Sequence, residues 1–356
     1  GTNTWTTTTL AEGVTRRWQV YTSLYGGKQT VNVVEVDFSK PGLRVQPVKP
    51  SSGCATTSTL GSNFGAVAAI NGGFFDGSCA SLSMIKINNV VSATNPGYKP
   101  ARTTFGYDRE TKGLFIAPIA STNTWSAVDD ALGGGPNLVT NGSINVTLSA
   151  EGFDSSYANK NPRTALGYQG SKLLLVTVDG RTSAGVGMTL NELAQYMINL
   201  GCSNAMNLDG GGSTTMWTSA NGVVNTPSDG SQRAVTSALG VFYTPPPTYT
   251  VDNTDAGFTA STNWWASTSV AGYLGANYRT RGTAAVSDAA TWKVNLPTSG
   301  TYQVQARWTA GANRAPSAPY VIYHAGGTTT VNVNQQQNNG TWVTLEGSPE
   351  FVVRRE

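Results

Sequence analysis

Three short runs of apolar residues predict buried β-strands in the first two-thirds of the chain. They are Ala66–Ile70, Lys172–Asp179 and Ala205–Leu208, and each is shorter than a typical buried helix. Each run ends beside an asparagine or aspartate that glycine follows: Asn71-Gly-Gly, Asp179-Gly-Arg and Asp209-Gly-Gly-Gly-Ser. These strand ends are the first candidates for a functional site.

A helix is predicted between the second and third runs. Thr189-Leu-Asn-Glu192 is a capping box, in which the threonine and glutamate side chains satisfy the first free N–H groups. The apolar residues that follow form a single stripe at helical spacing: Leu190, Leu193, Ala194, Met197 and Ile198. Gly201 is suited to the left-handed stop.

This succession of strand, helix and strand predicts a βαβ crossover joining parallel neighbours, which would place Asp179 and Asp209 at the same edge of a sheet. Nearer the start, three segments predict an antiparallel meander: Arg16–Leu24, Thr30–Phe38 and Leu43–Val48. The expected fold class is therefore α/β (α+β), with a mixed sheet.

Tyr243-Thr-Pro-Pro-Pro-Thr248 predicts a domain boundary, because three consecutive prolines continue neither a helix nor a central strand. We expect a first domain over residues 1–243, a linker over 244–248 and a smaller all-β sandwich over 249–356. Alternation in Thr301–Trp308 favours strands in the second domain. Five of the nine tryptophans lie there: Trp264, Trp265, Trp292, Trp308 and Trp342. Most are expected in the sandwich core, with one or two exposed for carbohydrate binding.

Composition narrows the classes of protein. Of the 356 residues 39% are hydrophobic and only 12% are charged, against about 25% charged residues in typical domains. The net charge of +3 is scattered, so a nucleic-acid partner is not expected. No apolar run reaches the length of about 18 residues that a membrane span needs. Low charge with 41 glycines favours an extracellular protein, and we expect a mature secreted form.

Few cysteines and a single histidine limit the chemistry. Cys54 and Cys79 lie in loop-like segments, and the sequence leaves their pairing open, whereas Cys202 is expected to be a small buried apolar residue. His324 is the only histidine and lies in the second domain, where a structural role is expected. Ser-His-Asp or Cys-His catalysis and zinc clusters are therefore disfavoured. The remaining candidates are Asp, Glu, Arg, Asn and Tyr side chains and the backbone.

The strand-end motifs suit a phosphate, because glycine lets backbone N–H groups turn towards an anion. Asp179 and Asp209 are candidates for base, nucleophile or stabiliser of a cationic sugar carbon. Arg163 and Arg181 offer planar forks for bidentate phosphate contact. The alternatives remain open: the glycines could form tight turns, the aspartates could cap them, and the arginines could form salt bridges.

Four motifs resemble those of the phosphodiester glycosidase family: Ala69-Ile-Asn-Gly-Gly-Phe-Phe-Asp76, Pro162-Arg-Thr-Ala-Leu-Gly167, Val178-Asp-Gly-Arg181 and Asn207-Leu-Asp-Gly-Gly-Gly-Ser-Thr-Thr-Met216. The resemblance covers roughly residues 10–243. It implies an α/β domain that hydrolyses a sugar-1-phosphodiester and releases a phosphomonoester. It also implies a set of substrate-binding residues: Asn71, Gly72, Gly73, Asp76, Gly210, Gly211, Gly212, Ser213 and Arg233.

The second domain resembles the golvesin C-terminal β-sandwich in the segments from Val251-Asp-Asn253 to Tyr320-Val-Ile-Tyr-His324. This resemblance implies carbohydrate binding beside a polysaccharide-degrading enzyme. No cofactor or metal is expected. Ca²⁺ among Asn71, Asp179 and Asp209 was considered, but no EF-hand-like spacing supports it.

The leading hypothesis is a secreted hydrolase of a phosphate-linked glycan. One alternative is a glycosidase acting on an unphosphorylated polysaccharide, with the arginines binding a uronate. The other is a glycan-binding envelope protein without catalytic activity.

Overall fold

The computed structural model describes residues 4–97, 99–283, 288–345 and 351–353. The chain divides into two compact units between Pro246 and Pro247. Residues 1–3, at the start of the first predicted domain, and residues 354–356, at the end of the second, lie outside the described part. No helix among the described residues is both long enough and apolar enough to cross a membrane.

The first unit is built mainly from strands. They are β1 (Thr6–Ala11), β2 (Val14–Leu24), β3 (Gly27–Asp37), β4 (Leu43–Val48), β5 (Ala55–Thr56), β6 (Ala68–Asn71), β7 (Ile85–Ile87), β8 (Val90–Ala93), β9 (Arg102–Tyr107), β10 (Leu114–Ile119), β11 (Asp130–Gly133), β12 (Asn137–Thr140), β13 (Ser143–Ile144), β14 (Arg163–Gln169), β15 (Lys172–Val178), β16 (Asn204–Asn207), β17 (Met216–Thr218), β18 (Gly222–Val223), β19 (Ala234–Val235) and β20 (Ala238–Tyr243). The helices are α1 (Thr57–Asn63), α2 (Leu190–Asn199) and two short 3-10 helices, Ser155–Ala158 and Gly211–Ser213.

The strands of the first unit form three larger sheets. The first sheet has eight strands in the order β1-β2-β3-β15-β14-β16-β12-β13. The second has the order β18-β17-β6-β20-β4, and the third has the order β10-β9-β11-β7-β8. Strands β5 and β19 form a separate pair.

The eight-stranded sheet is buried on both faces, which explains the unbroken apolar run in β15. On one face Leu166 and Leu175 join a core shared with Ile70 of the second sheet and Phe105 of the third. On the other face, the apolar stripe of α2 packs against the sheet through a core that includes Leu193 and Val176. Both bonds of the predicted capping box are present, between the side chain of Thr189 and the backbone of Glu192 and in the reverse direction.

The predicted crossover is half correct. Helix α2 does connect β15 to β16, but β14 lies between these two strands and pairs antiparallel with both. The two strands therefore run in the same direction without being neighbours, because each is antiparallel to the strand they share. Their C-terminal ends, which lead into Asp179 and Asp209, still lie at one edge of the sheet.

The predicted meander is also only half correct. Strands β2 and β3 form an antiparallel pair, but β4 belongs to the second sheet and pairs with β20. The described part of the chain is β-rich and contains two α-helices. Every strand pairing in the described residues is antiparallel, so the expected mixed sheet is not found there. Sequence alternation could not show this, because it does not specify which strands pair.

The second unit contains strands alone in its described part, as predicted for an all-β module. They are β21 (Phe258–Thr259), β22 (Trp265–Ser267), β23 (Tyr278–Thr280), β24 (Thr291–Trp292), β25 (Gly300–Tyr302), β26 (Gln305–Ala306), β27 (Ala318–His324), β28 (Gly327–Val333), β29 (Val343–Thr344) and β30 (Phe351–Val353). They pair two by two. The alternating segment Thr301–Trp308 is divided between β25 and β26.

More tryptophans are exposed in this unit than predicted. Trp308 is buried in a small core with Val333 and Leu345. In contrast, 54% of Trp265, 47% of Trp292 and 41% of Trp342 is exposed. His324 is bonded within its hairpin, with Nε2 3.0 Å from the Thr329 hydroxyl, in keeping with a structural role.

Candidate active site

The site lies at one edge of the eight-stranded sheet. In the register of β14, Arg163 lies opposite Val178 and Ala165 lies opposite Asn207. The start of β14 therefore meets the ends of β15 and β16. This register brings Arg163, Asp179 and Asp209 to the same edge from three separate parts of the sequence.

Asn71 connects the second sheet to this edge. Its Nδ2 donates to the carbonyl oxygen of Asp209 at 2.6 Å, and its Oδ1 accepts from the Thr164 hydroxyl at 2.7 Å and from the backbone N–H of Thr215 at 3.1 Å. The residue is fully buried. Asn71 is therefore a positioning residue rather than the predicted substrate contact, because protein groups already occupy its amide.

Gly72 and Gly73 serve close packing within the protein. A Cβ on Gly72 would overlap the Ser237 hydroxyl, and a Cβ on Gly73 would overlap the carbonyl oxygen of Gly133. The carbonyl oxygen of Gly72 accepts from the N–H of Asp209 at 3.2 Å. The predicted close approach of the backbone occurs here to neighbouring segments, and the predicted contact of Gly72 and Gly73 with substrate stays a prediction.

Asp179 is almost completely enclosed, with 1% of its surface exposed. Its Oδ1 accepts from the N–H of Thr226 at 3.0 Å, whereas its buried Oδ2 has no hydrogen-bond partner among the described residues. Burial raises the pKa of Asp179 to about 6, and the bonds from Thr226 and Asn225 offset part of this effect. Asp179 is therefore a buried carboxyl group with one oxygen atom that the described protein groups leave available.

Asp209 has a similarly raised pKa but is partly exposed. Loss of hydration raises its pKa to about 6, and the Ser213 hydroxyl and the charge of Arg233 act in the opposite direction. Two hydrogen bonds fix its backbone, one to Gly72 and one from Asn71. Two carboxyl groups with perturbed pKa values at one sheet edge are typical of a catalytic site.

The glycine loop after Asp209 is held against the start of β14. The N–H of Gly211 donates to the carbonyl oxygen of Pro162 at 3.0 Å, and a Cβ on Gly210 would lie 2.7 Å from the same oxygen. Gly211 has a φ of +59°, in the left-handed region that favours glycine. Gly210 and Gly211 are partly exposed in this turn, whereas Gly212 and Ser213 are buried. The predicted role of these four residues in binding substrate stays a prediction.

Arg181 reaches the glycine loop from the end of β15. Its φ of +58° is unusual for a residue with a side chain. A Cβ on Gly211 would lie 3.4 Å from Nη1 of Arg181. Nη2 donates to Oδ1 of Asn161, which fixes the guanidinium group. Arg181 is exposed and is therefore placed to contact an anion at this loop.

Arg163 has a different role from the predicted one. Its Nε donates to the carbonyl oxygen of Met188 at 2.8 Å, and its Nη2 donates to those of Tyr157 and Asn159 at 2.7 and 2.5 Å. Burial, followed by the charge of Arg181, lowers its pKa to about 10. The fork expected to bind phosphate instead donates to three carbonyl oxygens in two loop segments, one at Tyr157 and Asn159 and the other at Met188.

Arg233 approaches the glycine loop together with an acidic partner. Nη2 of Arg233 lies 2.7 Å from Oδ2 of Asp229. A Cβ on Gly212 would overlap both of these atoms, so the ion pair lies directly on the loop. Arg233 therefore belongs with Arg181 at the glycine loop, as a second guanidinium group.

Asp76 lies in a turn closed by a disulfide bond. Its Oδ1 accepts from the backbone N–H groups of Ser78 and Ala80 at 2.8 and 3.0 Å. The neighbouring Cys79 forms a disulfide bond with Cys54, which answers the question left open by the sequence. The structure thus shows Asp76 shaping its own turn, and its predicted contact with substrate stays a prediction.

Four residues of the site were missed by sequence reasoning: Asn161, Asn225, Thr226 and Asp229. They act through loop contacts that bring distant segments together. The polar stretch Asn225-Thr-Pro-Ser-Asp229 was the available signal, but nothing in its spacing indicated that it covers Asp179.

Within the described part of the chain, no three His, Cys, Asp or Glu side chains gather as metal ligands. The calcium set considered from the sequence does not fit, because Oδ1 of Asn71 already accepts two hydrogen bonds.

Comparison with protein-family models places the chain in a family of enzymes. The phosphodiester glycosidase model matches residues 64–242, about half of the chain, so the chain belongs to the phosphodiester glycosidase family. Residues 249–351 match the golvesin C-terminal domain. Membership of the first family indicates a carbohydrate-active hydrolase.

Two solved structures have a fold similar to that of this chain. One is the catalytic domain of zebrafish N-acetylglucosamine-1-phosphodiester alpha-N-acetylglucosaminidase, auto-inhibited by its pro-peptide, with a TM-score of 0.55 and 22% identity over 68% of this chain and 90% of that one. The other is a hypothetical protein from Synechocystis, with a TM-score of 0.54 and 19% identity over 68% and 64% of the two chains. At these identities the likeness shows the fold alone.

Two sequence relatives match shorter segments. The SPbeta prophage-derived uncharacterized protein YomE of Bacillus subtilis (strain 168) is 38% identical over 101 residues, which are 28% of this chain and 14% of that protein. Xanthan lyase of Bacillus sp. (strain GL1) is 35% identical over 112 residues, which are 30% and 12% of the two proteins. The chain thus spans only a small part of either relative.

Proposed function

We propose that this protein hydrolyses a sugar-1-phosphodiester in an extracellular or cell-surface glycan. In the reaction, water adds to C1 of the sugar and the bond between C1 and the phosphate oxygen breaks. The bonding electron pair stays on that oxygen, so the products are a free sugar and a phosphomonoester. The water proton passes to a carboxylate and then to solvent.

One observation carries this proposal: two carboxyl groups with raised pKa values lie at one edge of the sheet, and the second of them leads into a glycine loop flanked by two guanidinium groups. Arg181 lies against Gly211, and Arg233 lies against Gly212. Guanidinium groups and backbone N–H groups are suited to the oxygens of a phosphate. The loop begins directly after Asp209, so an anion bound there would hold its sugar carbon near this carboxyl group.

The two aspartates differ in their position relative to the glycine loop. Asp209 directly precedes the loop, where we place the phosphate, and we assign it the direct role of base or nucleophile at C1. Asp179 is enclosed, and we assign it the stabilisation of positive charge that develops on the sugar. The leaving group is a phosphate and needs little protonation, because the arginines stabilise its charge. This division explains how the site works without a histidine.

Two further features support an extracellular setting and a glycan substrate. The Cys54–Cys79 disulfide bond is of a kind that persists in oxidising compartments. Trp265, Trp292 and Trp342 are exposed in the second unit, where aromatic rings can stack on sugars. We therefore propose a secreted enzyme whose second unit binds carbohydrate.

The test is a panel of sugar-1-phosphodiesters with matched unphosphorylated and uronate-containing glycans. Free sugar and phosphomonoester are measured separately. Equal release of both from a phosphodiester supports the proposal. Release of sugar from the unphosphorylated glycans alone would replace it with an ordinary glycosidase, and binding without release would indicate a glycan-binding protein.

A further inference from the structure

The glycine loop carries a carboxylate where the proposed phosphate would bind. Oδ2 of Asp229 accepts from Nε of Arg233 at 3.1 Å and from Nη2 at 2.7 Å. Both side chains are nearly half exposed, at 45% for Arg233 and 43% for Asp229. A Cβ on Gly212 would overlap an oxygen of one and a nitrogen of the other. An acidic group therefore shares the surface offered to an anion.

The pair changes the charge that the loop presents. Arg181 lies at Gly211 with Asn161, a neutral amide, as its partner. Arg233 lies at Gly212 already paired with a carboxylate. Of the two guanidinium groups that flank the loop, one is thus compensated in charge. A ligand with one negative charge matches this surface better than a ligand with two.

Substrate and product of the proposed reaction differ in the number of negative charges on the phosphate. A phosphodiester carries a single negative charge, whereas a phosphomonoester at neutral pH carries about −1.5 to −2 because its second pKa is about 6. Like charges placed together oppose binding. We propose that Asp229 makes the site select singly charged phosphodiesters over doubly charged phosphomonoesters, and thereby promotes release of the product. This inference rests on the proposed function and assigns a selectivity residue to the same site.

Asp229 is not needed to hold its loop in place. At one end of the loop, Asn225 accepts from the N–H of Met216 at 2.8 Å and donates to the carbonyl oxygen of Thr214 at 3.0 Å. At the other end, Gln232 bonds the backbone and side chain of Ser58 at 3.0 and 2.8 Å. An exposed ion pair of this kind contributes little to the stability of the fold. The variant Asp229→Asn should therefore fold.

The test compares Asp229→Asn with the wild type in the 356-residue chain. The KM of one sugar-1-phosphodiester and the inhibition constant of methyl phosphate are measured at pH 8 and pH 5. We expect methyl phosphate to bind at least ~10-fold more tightly to the variant at pH 8. The KM of the diester should fall by a smaller factor, because the removed carboxylate repels one negative charge on the diester and about two on the monoester. At pH 5, where methyl phosphate is largely singly charged, the difference should shrink.

Asp108→Asn is the matched control. Asp108 is a partly exposed aspartate in the turn between β9 and β10, where it accepts from the N–H of Glu110 at 2.9 Å. This variant should leave both constants unchanged. If Asp229→Asn does not fold, Asp229→Ser removes the same charge with a smaller side chain and replaces it in the test.

Binding of methyl phosphate is also measured by calorimetry, which needs no turnover. Equal changes for monoester and diester, or no change, would overturn the inference while leaving the hydrolase intact. A wild-type protein that hydrolyses no sugar phosphodiester would overturn the proposed function instead. The two failures are therefore distinguishable.

Discussion

Asn71 and Asp209 are joined by a hydrogen bond of 2.6 Å from the amide nitrogen of the first to the main-chain oxygen of the second. The bond connects the end of β6 in the second sheet to the segment after β16 in the first sheet. The amide oxygen of Asn71 also holds Thr164 and Thr215. One buried side chain thus connects the three backbone segments that surround the carboxyl group of Asp209 and holds them in position.

The first prediction concerns the hydrogen bonds of Asn71. Asn71→Ala would leave the Asp209 carbonyl oxygen, the Thr164 hydroxyl and the Thr215 N–H without their buried partner. Each unsatisfied buried group costs about 1–3 kcal/mol, and partial relaxation should bring the loss in free energy of unfolding to about 2–4 kcal/mol. Chemical denaturation measures this loss. The exposed Asn199→Ala in α2 serves as the control and should change stability little.

The second prediction concerns Asp209, to which we assign the role of base or nucleophile at C1. Asp209→Asn should lower kcat on a sugar phosphodiester by at least ~100-fold, the scale expected when one acid-base group is lost. The melting temperature should not fall, because the amide keeps the shape of the side chain and burial disfavours the charge. A folded variant with near wild-type turnover would remove Asp209 from the chemistry.

These elements show what the sequence could predict. The apolar run of β15, the capping box of α2 and the polar residues at strand ends depend on local pattern, and each was located correctly. The shared edge of Asp179 and Asp209 was also predicted, because the helical crossover sets the direction of both strands. The insertion of β14 between them was not, because pairing depends on contacts distant in sequence.

The roles of the arginines show the limit at the level of side chains. Arg163 follows a proline and begins β14, and Arg181 follows a glycine just after the end of β15. Their local sequences suggested the same role. One is buried among the carbonyl oxygens of Met188, Tyr157 and Asn159, and the other is exposed beside Gly211. Only the packing of the loops separates a structural arginine from one that can bind an anion.

The third prediction uses this difference. Arg163→Lys should lower the melting temperature, because one ammonium group cannot reproduce bonds from Nε and Nη2 to three carbonyl oxygens. Arg181→Lys should keep the fold but raise KM for a phosphodiester, because the planar fork is lost. Thermal melting and steady-state kinetics on both variants check the two outcomes. A stable Arg163→Lys protein with impaired phosphate binding would restore the original assignment of Arg163 to the phosphate.

The fourth prediction follows from the raised pKa values of Asp179 and Asp209, each about 6 in the folded protein. In the unfolded chain an aspartate has a pKa of about 3.9. Between these values the folded state holds protons that the unfolded state has released, so stability from these groups is greatest below pH 4 and falls as pH rises to about 6. For the enclosed Asp179 the slope is at most about 1.4 kcal/mol per pH unit.

Unfolding free energies from pH 4 to pH 7 measure this dependence. Asp179→Asn should flatten the curve, because the amide does not ionise, and should make the protein relatively more stable at pH 7. The control Asp108→Asn alters a carboxyl group whose pKa is lowered by its bond with Thr111, and should not flatten the fall. An unchanged slope in Asp179→Asn would mean that this carboxyl group ionises as it does in the unfolded chain.

The last prediction separates the two units. Truncation after Pro246 should leave turnover of a small soluble phosphodiester within about 3-fold of the full chain, because Asp179, Asp209, Arg181 and Arg233 all precede the division. Turnover of a polymeric or insoluble glycan should fall more, since loss of the exposed tryptophans removes the local concentration that binding provides. A melting curve of each protein controls for folding. If a folded truncation loses activity on the small substrate, the second unit contributes to the reaction, and His324 and its aromatic neighbours become candidates for the chemistry.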